Sequence, residues 1–230
     1  DEVKEINPLV ESKLVNDLKW LLSLKKRHGD EAFKWAMLNL AEKYIAQKDT
    51  AKHQLCLGQK LSDANYYNTV VYLDYKSNPA TVPLQKLIWL INDDYNRPEY
   101  ETFLLNNFRY TKKDILEIQG TLHLSRYEFF DALMVMHDIR NDLELLPADP
   151  FSMNIKDCTK CDMDSLKEKI YTKRTFARRM KDLEEEVKAT NKNLAENYFL
   201  LANAYYNMTY FGNSWMIADF YREHVSNYAN

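Results

Sequence analysis

Apolar side chains recur three or four residues apart along most of the chain, and that spacing predicts helices. Leu9, Val10, Leu14, Leu18, Leu21 and Leu22 follow Pro8, a residue suited to a first helical turn, and Gly29 stands where that helix would stop. A second stripe of Phe33, Met37, Leu40, Ala41, Tyr44 and Ile45 predicts another helix, and a third is expected from Ala51 to Lys60. Ser62 or Asp63 would cap a fourth carrying Tyr66, Tyr67, Val70, Val71 and Leu73, halted at Asn78-Pro79. Pro83 and Pro98 each fit the opening of a further helix, through Leu84 to Ile91 and through Phe103 to Phe108.

Capping signals continue the pattern. Thr111-x-x-Asp114 and Ser125-x-x-Glu128 read as capping boxes, so two helices should meet between His123 and Tyr127 as a hairpin with a very short loop. Leu146-Pro-Ala-Asp-Pro150 opens a loop expected to run to Met163, and Ser165-x-x-Glu168 signals the next helix, with a break near Tyr171-Thr172. Ala195 to Met208 predicts a helix, followed by a turn around Gly212 and a last helix from Trp215 to Val225. The expected class is all-α, with no strand and a single array over 1–230, a sub-boundary being conceivable at the loop 146–164.

Composition narrows the function. The chain has 4 glycines in 230 residues, where average usage would give about sixteen. Gly-rich phosphate loops, dinucleotide fingerprints and a supply of hairpin turns are all missing. With 31 Lys+Arg against 34 Asp+Glu the net charge is −3, so there is no global basic footprint for nucleic acid. The cluster Lys173, Arg174, Arg178, Arg179 and Lys181 runs straight into Glu184-Glu185-Glu186 and reads as a solvated helix face, with Lys181 pairing Glu185. No apolar run is long enough to span a membrane, and the opening Asp-Glu-Val-Lys gives no expectation of a signal peptide within this chain. The first residue is Asp1 rather than Met, from which the chain is expected to be a segment of a longer protein.

Short-looped helical hairpins invite a test for repeats. In the tetratricopeptide pattern a bulky residue, Leu, a small residue and an aromatic occupy positions 4, 7, 8 and 11 of the first helix, and a small residue at 20 lets the second pack closely. With Gly120 at position 8, Leu116, His123 and Ala132 fall at 4, 11 and 20, position 7 being Gln119. With Ala202 at position 8, Tyr198, Leu201, Tyr205 and Ser214 fall at 4, 7, 11 and 20. A third placement, on Ala41, fits Met37, Leu40 and Tyr44 but puts His53 at 20. The anchors lie 79 and 82 residues apart. The chain thus resembles an irregular tetratricopeptide-repeat protein over residues 112–139 and 195–221. That resemblance implies antiparallel hairpins stacked as an irregular right-handed superhelix. Together with Cys158-x-x-Cys161 and Asn207-Met-Thr-Tyr-Phe-Gly-Asn213 it is also loosely similar to bacterial cell-envelope proteins containing such repeats, which favours envelope or periplasm over cytoplasm.

The residues offer little chemistry. His53 and Cys56 lie one helical turn apart, and with Cys158 and Cys161 they could form a tetrahedral Cys3His zinc site. The alternatives are a disulfide or redox pair at Cys158 and Cys161, or unpaired structural thiols; Leu55 and Leu57 make Cys56 read as a core residue, and the acids around the Cys pair argue against a reactive thiol. His137-Asp138 and Glu223-His224 are helix neighbours expected to point apart, and no hydrolase motif occurs. The expectation is a non-enzymatic scaffold with no cofactor. Phe199, Asn203, Tyr206, Asn207 and Tyr210 would share one face, the concave one if the resemblance holds, and their mixture of aromatic area and amide hydrogen bonding suits a protein or peptide partner. Position 9 carries Asn203 as carboxylate-clamp repeats do, but position 5 is Phe199 rather than a basic residue. The alternative function is a zinc- or disulfide-stabilised helical domain with a ligand-binding or catalytic role at Cys158 and Cys161.

Overall fold

The computed structural model describes residues 5–24, 26–60, 74, 76, 84–92, 97–153, 170–189 and 193–220. Their regular secondary structure is helical, with no strand among them beyond two isolated bridges. The chain divides between Ile115 and Leu116 into two compact units, so the division falls inside a helix rather than at the loop 146–164.

The first unit contains α1 (Pro8–Ser23), α2 (Lys26–Ala46), α3 (Thr50–Leu57), α4 (Leu84–Asn92) and α5 (Glu99–Asn106). Asn7 caps α1 by accepting from the backbone of Leu9 and Val10, with Pro8 in the first turn where its missing N–H costs nothing. Gly29 does not stop that helix: α1 ends at Ser23, and Gly29 lies inside α2. Helix α2 packs against α1 and α3, while α3 also meets α4 and α5. Phe33, Tyr44, Leu55, Tyr100 and Leu104 form the centre of this core, Phe33 meeting Phe103 edge-on at 6.3 Å. The helix expected from Ser62 to Leu73 lies outside the described residues, although Asp74 and Lys76 are helical.

Helix α6 (Lys112–Ser125) carries the chain across the division. The second unit then holds α7 (Phe129–Val135), α8 (Lys173–Lys188), α9 (Leu194–Asn207) and a 3-10 turn at Trp215–Ile217. Helix α8 packs on both α7 and α9 around Phe129, Phe176, Met180, Leu183 and Ala204. A reciprocal Thr172/Thr175 capping box starts α8 at the break near Tyr171-Thr172, whereas the Ser165-x-x-Glu168 signal lies outside the described residues. Thr111 and Asp114 form their expected reciprocal cap. Ser125 and Glu128 do not: Ser125 ends α6 and donates back to the Leu122 carbonyl.

Two turns in this fold are built alike. At the end of α2, Lys48 sits at φ 62°, and the amides of Lys48 and Asp49 donate to the carbonyls of Ile45 (3.0 Å) and Tyr44 (2.9 Å). At the end of α6, Tyr127 sits at φ 63°, and Tyr127 and Glu128 donate to Leu124 (3.0 Å) and His123 (2.9 Å). Both are Schellman closures with a non-glycine residue in the left-handed position, and in both the final residue is the N-cap of the next helix. Every member of the second turn lies 79 residues after its counterpart in the first, the separation of Ala41 and Gly120.

The hairpin anchored on Ala202 is different. After α9 the chain turns at Gly212, where an added Cβ would run into the backbone of Asn207. Ser214 precedes the short 3-10 turn, and no second helix follows through Phe220. The Trp215–Val225 helix is thus corrected to Trp215–Ile217 within the described residues, because the chain folds back so tightly that the Ser214 amide bonds the Asn207 carbonyl at 3.0 Å. No helix of the described residues is long and apolar enough to cross a membrane.

Candidate functional site

The predicted face on α9 divides in two. Taking Ala204 as the centre of the buried arc, Asn203 and Asn207 lie on its flank, while Ala195, Phe199, Ala202 and Tyr206 run along the opposite side. Asn203 and Asn207 are buried. The Asn207 amide donates to the carbonyls of Pro150 and Ser152, each at 2.9 Å, and the Asn203 amide reaches the Phe151 carbonyl at 3.3 Å. Ser214 donates to the Ala148 carbonyl at 3.3 Å. Three polar side chains therefore clasp a turn of the chain's own backbone, closed by the Asp149 carboxylate and carbonyl, while the Phe151 ring lies against Tyr171 and Phe176 at 5.0 and 5.5 Å. The two Asn side chains thus bond the loop after Leu146, and that loop is a turn rather than an extended segment.

The aromatic residues go the other way. Phe199 is 51% exposed and Tyr198 is 55% exposed; Ala195 and Ala202 are exposed and Tyr206 is half-buried. Tyr210 lies beyond the helix with its ring edge-on to Phe211 at 5.2 Å. Surface helices normally turn charge outward, as α8 does with Arg178 and Glu185, but the outer stripe of α9 has none. Helix α9 is fixed in rotation by Tyr205, whose hydroxyl donates to Glu184 of α8 at 2.8 Å and is raised out of its ordinary range by burial and that carboxylate.

A group of buried and partly buried ionisable side chains lies in the first unit. Lys52 bonds Glu11 at 2.7 Å and Glu101 at 3.3 Å, and Glu11 also accepts from the Tyr44 hydroxyl at 2.9 Å. Burial works against the Lys52 charge, but the two carboxylates outweigh it and hold the ammonium above its usual value. The Tyr100 hydroxyl lies beside Tyr44 and Cys56 without completing a well-formed hydrogen bond. Burial pushes Tyr44, Tyr100 and the Cys56 thiol upward, so Cys56 is a core thiol rather than a nucleophile. In the second unit Lys173 is lowered by burial against the opposing pull of Glu117; its ammonium is enclosed by Glu117 (3.0 Å), the Thr121 hydroxyl (2.9 Å) and the Phe220 ring (3.8 Å).

Of the donors considered for zinc, Cys56 is buried in the core of the first unit. Cys158 and Cys161 lie outside the described residues. His53 uses both ring nitrogens, Nδ1 against the Ala41 carbonyl at 2.8 Å and Nε2 against Asp74 at 3.2 Å. His137 and Asp138 do not point apart as expected: the residues lie in a turn after α7, and Nδ1 meets the carboxylate at 3.3 Å. Lys181 and Glu185 pair at 2.7 Å as their spacing predicts.

No family model, curated protein or solved structure matches the chain. Large apolar side chains also reach the surface elsewhere, at Trp20, Trp35, Trp89 and Phe130; on α9 they align as one stripe along a helix face. Reading the sequence alone missed the clasp, whose only local signal is the pairing of two inward amides with a Pro-bearing loop lacking its own secondary structure.

Proposed function

We propose that the chain is a non-catalytic helical scaffold of tetratricopeptide-like hairpins that binds a partner protein by docking one of its helices on the outer stripe of α9. The observation that carries this reading is the uncharged line Ala195, Phe199, Ala202 and Tyr206, in which both alanines and Phe199 are exposed, on a helix whose other side is buried around Leu201 and Ala204. Ala202 between two aromatics makes a shallow notch of the kind into which a ridge of another helix fits. Over about 11 residues at 1.5 Å rise, the stripe is long enough for two or three turns of a partner. Aromatic residues supply such contacts at low entropic cost and are enriched in interface centres. The repeated Schellman turn, offset by the same interval as Ala41 and Gly120, supports the hairpin-repeat reading. The upward shifts of Tyr44, Tyr100 and Cys56 support a structural use of the buried polar groups.

A photo-crosslinking amino acid at Ala202, with a control at Glu185 on the charged face of α8, tests the docking site in cells. The expected result is a discrete crosslinked species at Ala202 alone, lost when Phe199→Asp is added. Equal crosslinking at the two positions, or persistence with Phe199→Asp, overturns the site.

A further inference from the structure

The two like-built turns differ in what their side chains do. In the first, the N-cap Asp49 caps α3 by accepting from the Lys52 amide at 3.1 Å, Tyr44 is buried, and the position three after the cap is the cation Lys52. In the second, the counterparts are His123, Glu128 and Asp131, three residues whose side chains are all metal ligands. Glu128 makes no cap bond to α7; its Oε2 instead meets His123 Nδ1 at 2.7 Å. A Schellman turn commonly places an apolar contact between those two positions, and here an imidazole and a carboxylate occupy them. Asp131 completes the group: one ligand atom from each of the three lies within 4.8 Å of the others. Asp131 has no hydrogen bond or ion pair among the described residues.

We propose that His123, Glu128 and Asp131 form a binding site for a divalent transition-metal ion, with zinc the best match to one imidazole and two carboxylates. The set supplies three ligands, leaving at least one coordination position to water or to a group brought by a partner. Borderline nitrogen and oxygen donors suit zinc over calcium or magnesium, which take oxygen alone. The 2.7 Å separation of His123 and Glu128 is that of a hydrogen bond; tetrahedral zinc with ligands at about 2.0–2.1 Å needs the two atoms to part by roughly 0.6 Å. Rigid placement comes from the left-handed Tyr127, whose ring is anchored at 5.4 Å against Tyr205. The equivalent turn at Tyr44, Asp49 and Lys52 is an internal negative control, since Lys52 would repel a cation. This site is independent of the stripe on α9.

Calorimetric titration of zinc chloride into metal-free full-length chain tests the proposal, and the thiols are controlled with the Cys158→Ser/Cys161→Ser variant. The expected result is one equivalent bound by that variant and by the chain with both cysteines intact. Affinity should fall as the pH is lowered, because protons compete for the same donors. Loss of even an outer partner of a metal site costs ten- to a hundredfold, so His123→Ala should weaken binding by more than about a hundredfold. Asp131→Asn, an exposed and isosteric change, should weaken it at least about tenfold, circular dichroism remaining that of the parent. No binding to the serine variant, or undiminished binding to either His123→Ala or Asp131→Asn, overturns the site.

Discussion

The turn after α2 and the turn after α6 share backbone hydrogen bonds, a left-handed residue and a 79-residue offset, yet they have opposite interiors. Around the first, Tyr44 and Lys52 converge on the buried Glu11. Around the second, His123 and Glu128 face each other near the surface, with side-chain exposures of 23% and 42%. The same backbone closure has thus been combined once with a buried ion network and once with exposed donors. The difference shows that the turn is a carrier: its geometry comes from the chain path, and burial decides the energetic role of what it carries.

The largest expected contrast comes from removing one carboxylate at each turn. Glu11→Ala leaves Lys52 buried with only Glu101, and should cost about 3 kcal/mol. Glu128→Gln, in metal-free buffer, removes a partly exposed pair and should cost less than about 1 kcal/mol. Urea unfolding of both variants measures the contrast, and equal losses would break it. Next in size is an exchange at the close-packing position. An added Cβ at Gly120 would lie 2.6 Å from Met136 Cγ, so Gly120→Ala should destabilise by about 1–2 kcal/mol despite its better helix propensity. Met136→Ala should reverse that sign in a double-mutant cycle, whereas Ala41→Gly should cost about 1 kcal/mol simply through propensity.

A smaller effect separates the two left-handed residues. Lys48→Gly should stabilise the chain by about 0.5–1 kcal/mol, since glycine removes the Cβ penalty. Tyr127→Gly should not, because it also removes ring contacts at 5.4 Å to Tyr205 and 6.5 Å to Phe129. Thermal midpoints of the two variants would distinguish them. The smallest expected effect is a pH dependence at the first hairpin, where His53 takes the place of Ala132. Burial opposes the His53 charge, but the Asp74 carboxylate and the Ala41 carbonyl win and raise its pKa above 6.5. Its contribution to stability is therefore complete below about 6.5, the unfolded value, and is lost as the pH rises through the folded one. Denaturation midpoints across that range should show this slope, and Asp74→Asn should flatten it.

Helices and some of their ends were readable because they depend on residues a few positions apart: Pro8 in a first turn, Thr111 with Asp114, and the stripe from Phe33 to Tyr44 are complete local statements, whereas Gly29 and the Ser125/Glu128 pair carry equally local signals that the chain path does not use. The buried network was not, since Glu11 meets partners 33 and 41 positions away, and periodicity only marks which side of a helix is apolar. The α9 site was legible in part. Phe199, Asn203, Tyr206 and Asn207 do lie within a broad arc, but which edge of that arc is buried depends on where the loop after Leu146 comes to rest. Ser214 fitted the repeat spacing by position alone, while the tight return at Gly212 set its surroundings.

The clasp on that loop has an informational consequence. Asn203, Asn207 and Ser214 read carbonyl oxygens at Ala148, Pro150, Phe151 and Ser152, and every residue type offers the same oxygen. The side chains at 148 and 152 are consequently free to drift without loosening the grip, and the constraint falls on Phe151, whose ring is enclosed, and on the three donors. Sequence variation would then be written into the held segment and memory into the residues that hold it.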